Sequence, residues 1–374
     1  MKIKTAIILI LAGVLLAGCV SKQPTEVQPT VQPTTMQPTT APETVTLNGA
    51  GATFPYPLIS KWSSKYYELK PNIQINYQSV GSGAGIKQIT ARTVDFGASD
   101  APLTEQEYTN VSGILQMPES IGAVVLAYNL PGMQKGVKLS GDVVADIFLG
   151  KIKKWNDPKI VSLNPGIQFP EKEIIAAHRS DGSGTTFVFT DYLSKVSPDW
   201  KSKVGKGKSV NWPVEPVGFG GKGNEGVAGL LNQNPYSIGY IELAYAKLQN
   251  IPYAYIKNKA GNFIEPTLET TASAAAGAVS TLPAGDASWS SVSIVDAEGD
   301  NSYPIGSFTY LLVYKDQTDQ TKGKMLSEFL WWAVHDGQKY SSGLLYVPLP
   351  EAVISLNEKT IKLINYNGQP LIQG

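Results

Sequence analysis

Three short glycine-rich segments each stand directly before a helical pattern, and this restricts the fold more than any other feature. Gly49-Ala-Gly-Ala-Thr53-Phe54 precedes a helix opened by Pro55 and Pro57. Gly81-Ser82-Gly83-Ala84-Gly85 follows an apolar run ending at Val80, and Asp181-Gly-Ser183-Gly184-Thr185-Thr186 follows one ending near His178. Glycines let backbone approach a ligand closely, and Ser or Thr adds a hydroxyl. The first amides of a helix have no internal partner and sit at the positive dipole end, so such a start attracts anions. An ordinary helix cap explains one such loop. Three of them in one body, at the carboxyl ends of parallel strands, would line one crevice.

The rest of the periodicity agrees with an α/β body of mostly parallel sheets. Strands are expected over 72–80, 94–98, 121–129, 174–178, 237–242 and 308–314. Helices are expected over 57–69, 84–91, 104–108, 141–148, 185–195, 225–231 and 322–336. In the first helix Leu58, Trp62, Tyr66 and Leu69 form one stripe. The Ala- and Ser-rich stretch 270–277 reads as a helix with small residues on one side. About 330 residues exceed one small core and imply two domains.

The amino-terminal region is different in kind. Lys2 and Lys4 lead an apolar run from Ala6 to Ala17, which is too short for a permanent span and fits a secretory signal. It ends in Leu16-Ala17-Gly18-Cys19, a lipoprotein-type cleavage pattern. Residues 1–18 are therefore expected to be a signal peptide, and Cys19 a lipid anchor on the extracytoplasmic face of the cell membrane. Cys19 is the one cysteine in 374 residues, so there is no disulfide framework and no thiolate metal site. Residues 19–44 read as a tether, because Gln-Pro-Thr recurs at 23–25, 28–30, 32–34 and 37–39. Such a composition cannot bury a core and favours extended polyproline II. A stretch of roughly 20 such residues reaches about 60 Å.

The chain has 31 basic and 31 acidic side chains, so no nucleic-acid surface is implied. Only Arg92 and Arg179 are arginine. A residue so rare is expected where its planar fork matters. Arg179 precedes the third loop and is the expected cation for a tetrahedral oxyanion. Asp181 is expected to hold its guanidinium from behind. Asp100 ends the segment Val94-Asp-Phe-Gly-Ala-Ser-Asp100, yet Thr104-Glu-Gln-Glu107 already supplies a capping box for the next helix. A carboxylate repels an anion unless that anion keeps a proton for it to accept. Phosphate keeps one near neutral pH and sulfate does not, so Asp100 favours phosphate.

Several segments together resemble the phosphate-binding protein of the phosphate-specific ABC transporter. They are 48–55, 94–102, 149–155 (Leu-Gly-Lys-Ile-Lys-Lys-Trp), 179–185, 218–224 (Gly-Phe-Gly-Gly-Lys-Gly-Asn) and 238–242 (Ile-Gly-Tyr-Ile-Glu). The resemblance runs from about residue 45 to about 350. It implies a two-lobed, type II periplasmic-binding-protein-like fold closing on one phosphate. It implies lobe I from 45–123 and 306–374, and lobe II from 124–305. It implies phosphate ligands Thr53, Phe54, Ser82 and Asp100 from the first lobe, and Arg179, Ser183, Gly184 and Thr185 from the second. The second loop departs slightly, with Ala84 where the family often has another serine. The resemblance further implies a monomer that meets the permease and ATPase subunits of an ABC importer, with no enzyme activity and no cofactor or metal.

Four rivals remain at this stage. One is a carrier of another oxyanion. Another is a surface phosphatase using Ser183. It is disfavoured because His178, adjoining Arg179 in a strand, should face the other way and sit in the core, and no Gly-x-Ser-x-Gly elbow is present. A third is a nucleotide site at Gly218–Gly223, where the preceding Trp-Pro-Val-Glu-Pro is no clean strand and the segment reads as a turn and helix start. The last, an adhesive surface protein, would need neither Asp100 nor Arg179.

Overall fold

The strand Val45–Gly51 lies inside a large sheet although three of its seven residues are glycine or alanine. Small residues are required there. A Cβ on Gly49 would fall 2.1 Å from the Phe96 ring, and one on Gly51 would fall 2.1 Å from the Ala98 carbonyl oxygen. Strand propensity is weak in this segment, and tight packing against its neighbour decides its fate. The sequence reading missed this strand for that reason. The computed structural model describes residues 44–134, 136–214 and 218–372. The expected signal peptide, Cys19 and all but the last residue of the tether lie outside the described residues.

Among the described residues, eight strands form one mixed sheet. Their spatial order is Ile73–Ser79, Val45–Gly51, Phe96–Ser99, Gly306–Tyr314, Ile114–Tyr128, Ser237–Glu242, Ile175–Arg179 and Phe219–Gly221. Both flanks are parallel. The three middle pairings are antiparallel, which corrects the expectation of mostly parallel sheets there. Ile114–Tyr128 links the two flanks. It pairs with Gly306–Tyr314 as far as Ala123 and with Ser237–Glu242 from Val124 onward. All fifteen of its residues are buried, so it shows no in-out alternation. Pro118 sits in it at a register shift, where Thr309 faces Ser120 and Tyr310 faces Pro118. A missing N–H is tolerated at such a bulge. The expected strand starts at 121, after Pro118, whose missing N–H argues against a central strand.

Helices cover the sheet. In Tyr56–Leu69 the buried residues are Leu58, Ile59, Trp62 and Tyr66. Leu69 is 57% exposed, because the helix ends there and its stripe stops at Tyr66. Tyr66 packs edge-on to Phe329 and against Trp332, from the helix Gln320–Val334. Such rings contribute about 2–3 kcal/mol each on full burial. The stretch read as a small-residue helix is Leu268–Ala276, with a Thr267/Thr270 capping box and Thr271, Ala274 and Ala275 buried. The expected Thr104/Glu107 capping box is also present. Among the described residues no helix is long and apolar enough to cross a membrane.

Candidate functional site

The site is assembled where glycine-rich loops meet at helix starts. The strand Ile175–Arg179 ends at Arg179, and the helix Gly184–Val196 begins just beyond. Ser183 caps that helix, accepting from the Thr186 N–H at 3.1 Å. Its own amide donates to the Lys208 carbonyl at 2.8 Å, which fixes the loop. The second loop runs into the helix Ser82–Thr90. Its Ser82 hydroxyl oxygen accepts from the Asp100 amide at 3.2 Å and from the Gly184 amide at 3.1 Å. One oxygen thereby joins the second and third loops to the strand end at Asp100. A Cβ on Gly184 would meet Ser82 Oγ at 2.5 Å and Asp100 Oδ2 at 2.6 Å, so no larger residue fits there.

The first loop joins through Asn224. Its amide donates to Thr53 Oγ1 at 3.1 Å, and its Nδ2 donates to Thr53 Oγ1 at 2.8 Å and Thr185 Oγ1 at 3.2 Å. Its Oδ1 accepts from the Glu242 amide at 3.0 Å. The Tyr245 hydroxyl donates to the Thr53 carbonyl at 2.6 Å, and the Tyr346 hydroxyl to the Phe54 carbonyl at 2.7 Å. Sequence reasoning did not assign Asn224 a role. The signal was present, because Phe219–Gly221 is a short strand and Gly223–Gln233 is a helix. The segment set aside as a turn and helix start is a fourth strand-to-helix loop.

Arg179 is held from behind as expected. Its Nε donates to Asp181 Oδ1 at 2.7 Å and a terminal nitrogen to Oδ2 at 2.5 Å, while the other terminal nitrogen reaches Thr185 Oγ1 at 3.3 Å. Burial works against the Asp181 charge, but the bonds and charge of Arg179 outweigh it and hold the carboxyl below its ordinary range. Arg92, the other arginine, stacks on an aromatic ring. Its guanidinium lies 3.4 Å over the Tyr314 ring. His178 is buried and stacked on Trp212, with ring centroids 4.9 Å apart. It takes the core position expected of it.

A common logic orients the hydroxyls. The oxygens of Thr53, Ser82, Ser183 and Thr185 each accept at least one N–H bond from the protein. A hydroxyl has one proton, so an oxygen already engaged as an acceptor presents that proton to something else. Four hydroxyls become oriented donors. Among them Asp100 is an acceptor. It is 1% exposed, and burial pushes its carboxyl up to about 7, partly offset by Thr309, Arg179 and Ser82. Two more acids lie deep in the same region. Burial pushes Glu119 up to about 8, and raises Glu242 well above its ordinary value despite the Ala244 amide and the Tyr346 hydroxyl bonded to it. Neither was singled out from sequence.

The eight expected site residues therefore converge, with Asp181 behind Arg179. The arrangement suits a small oxyanion that donates one hydrogen bond and accepts many. Comparison with known proteins agrees. The family model of the PBP superfamily domain matches residues 36–336. The phosphate-binding protein PstS of Pasteurella multocida is 49% identical over 315 residues, covering 83% of this chain and 88% of that protein. The protein of the same name from Methanocaldococcus jannaschii is 41% identical over 341 residues, covering 86% and 87%. The crystal structure of a phosphate-binding protein from Stenotrophomonas maltophilia shares the fold, with a TM-score of 0.61 and 18% identity over 83% of this chain and 92% of that one. The chain belongs to the PBP superfamily and, within it, to the family of the phosphate-binding protein PstS.

Proposed function

We propose that the protein binds inorganic phosphate outside the cytoplasm and delivers it to an ABC importer, without catalysing a reaction on it. The observation that carries this reading is the hydroxyl set described above, four oriented donors around one buried carboxylate. A monoprotonated phosphate presents oxygens to Thr53, Ser82, Ser183, Thr185, the Phe54 amide, the Gly184 amide, which it shares with Ser82 Oγ, and Arg179. Its remaining O–H meets Asp100. An unprotonated dianion of the same shape leaves Asp100 facing a bare oxygen, which costs repulsion in a site of low dielectric. The names of the relatives, all phosphate-binding proteins, support the same ligand.

In this reading residues 45–123 with 306–374 form one lobe and 124–305 the other. They hinge where Ile114–Tyr128 changes partner between Ala123 and Val124. The closed pair of lobes is the form presented to the permease, driven by its ATPase subunit, and the carrier acts as a monomer. Cys19 carries the lipid that keeps it at the membrane. Equilibrium dialysis with radiolabelled phosphate tests the ligand, with one phosphate per chain expected and none overturning the reading. Cys19→Ala tests the anchor. The protein should leave the membrane fraction, and retention there would refute a lipid at that position.

A further inference from the structure

Thr309 stands between two buried carboxyls. Its hydroxyl lies 3.0 Å from Asp100 Oδ1 and 3.2 Å from Glu119 Oε1. A hydroxyl has one proton and cannot donate to both. Were both acids ionised, one of these contacts would set lone pair against lone pair, in a region where Glu119 is 0% and Asp100 1% exposed. Among the described residues Glu119 Oε2 has no hydrogen-bond partner. An ionised carboxylate left in that state would be expensive, and such a group takes up a proton instead.

The direction of the chain follows from the surroundings. Asp100 has Thr309 and the Arg179 charge on its side, and Ser82 as well while no ligand takes that hydroxyl's proton. Glu119 has the Thr309 contact and the repulsion of Asp100. Tyr77, on the strand Ile73–Ser79, also faces this pair, and its burial keeps it protonated. The proton therefore belongs on Glu119. Its place in the backbone fits a dedicated role. Glu119 is the extra residue of the bulge, between Pro118 opposite Tyr310 and Ser120 opposite Thr309. Bulges re-aim a side chain out of the regular alternation. Here the backbone is further held by Gln338, which donates to the Glu119 carbonyl at 3.1 Å.

We propose that Glu119 is a positioning residue that remains protonated, donates to the Thr309 oxygen, and so commits the Thr309 proton to Asp100. With phosphate bound, Asp100 is thereby kept an ionised acceptor, aimed at the ligand's own O–H. This deepens the phosphate reading and rests on it. Ionisation of Glu119 reverses the chain, draws the Thr309 proton away and adds a negative charge beside the bound anion.

The test has two arms. Infrared difference spectra, wild type minus Glu119→Gln, at pH 7 should show a protonated carboxyl band, and carboxylate bands in its place would overturn the proposal. This arm needs no phosphate, so a protein that failed to bind phosphate would sink the proposed function while the charge on Glu119 was still measured. The second arm is phosphate affinity against pH. Between about pH 8 and 10 wild-type affinity should fall by up to roughly tenfold per pH unit. Glu119→Gln, whose amide still donates to Thr309 but cannot ionise, should lose that alkaline fall. Thr309→Val should weaken phosphate roughly tenfold at pH 7, with Thr309→Ser restoring it. An alkaline fall that persists in Glu119→Gln, or a Thr309→Val variant that binds like wild type, would overturn the relay.

Discussion

Gly81 faces Asp181 so closely that a Cβ on Gly81 would lie 2.2 Å from Asp181 Oδ2. The neighbouring Gly83 amide donates to the Gly182 carbonyl at 2.8 Å. The second and third loops thus meet backbone to backbone, and the carboxylate that holds Arg179 rests on the one side chain that has no Cβ. Gly81 also has φ 93°, a region that an L side chain adopts only with strain. Gly81→Ala should weaken phosphate binding by tenfold or more, while its melting temperature falls by no more than about 1–2 kcal/mol of lost stability implies. Calorimetry together with a thermal melt separates the two effects. A variant that melts lower yet binds normally would show that this contact does not matter to the closed site.

Arg179 makes two bonds to Asp181 in one plane. Lysine keeps the charge but has no fork and no reason to stand at the same angle. Arg179→Lys should weaken phosphate by roughly ten- to a hundredfold, and Arg179→Ala by more, since the charge is gone as well. Asp181→Asn should give a smaller loss, because the fork persists but is held less firmly. Equal losses in all three would mean that Arg179 works only through the ion pair with Asp181.

Lys208 reaches from beside the third loop to Glu107, with nitrogen–oxygen contacts at 2.7 Å. The side chains are 17% and 29% exposed, so the pair lies between a surface and a buried ion pair. Such a contact contributes up to about 1 kcal/mol. Lys208→Ala should therefore weaken phosphate no more than about fivefold, with a larger effect at low salt. A hundredfold loss would make it part of the binding machinery.

Stability should depend on pH in a direction unusual for acids. Asp100 and Glu119 have folded pKa values raised to about 7 and about 8, above their ordinary values of 3.8 and 4.5. Below about pH 3 both groups are largely protonated in folded and unfolded chains, and neither affects stability. Between there and about pH 8 the folded chain binds more protons than the unfolded one. Ligand-free stability then falls as pH rises, with a slope on the order of 1 kcal/mol per pH unit for each such group. Glu119→Gln should flatten the slope, as read from chemical denaturation at pH 5 and pH 8. An unchanged slope would assign Glu119 an ordinary pKa.

The sequence made the helix starts legible because Gly, Ser and Thr at a cap are local signals. It made Asp100 and Arg179 legible because each is unusual where it stands. It hid the strand Val45–Gly51, whose identity depends on Phe96 and Ala98 pressing on glycines from 47 residues away or more. It hid Glu119 as well. Pro118-Glu119-Ser120 looks like a surface turn until pairing with Gly306–Tyr314 places it in a bulge. Asn224 was half visible, since its loop is glycine-rich and opens a helix like the other three, but it has no Ser or Thr and its strand is only three residues long. Arg92 also uses its planar guanidinium, but over the Tyr314 ring and not on an anion.

Under the proposed function, Asp100 selects a ligand that carries its own proton. The most direct measurement is calorimetric titration of wild type and Asp100→Asn with phosphate and with sulfate at pH 7. Wild type should bind one phosphate and reject sulfate by at least about a thousandfold, and Asp100→Asn should narrow that gap by tenfold or more, by losing phosphate affinity and gaining sulfate. Comparable affinity of the wild-type protein for both anions, or an unchanged ratio in Asp100→Asn, would contradict it.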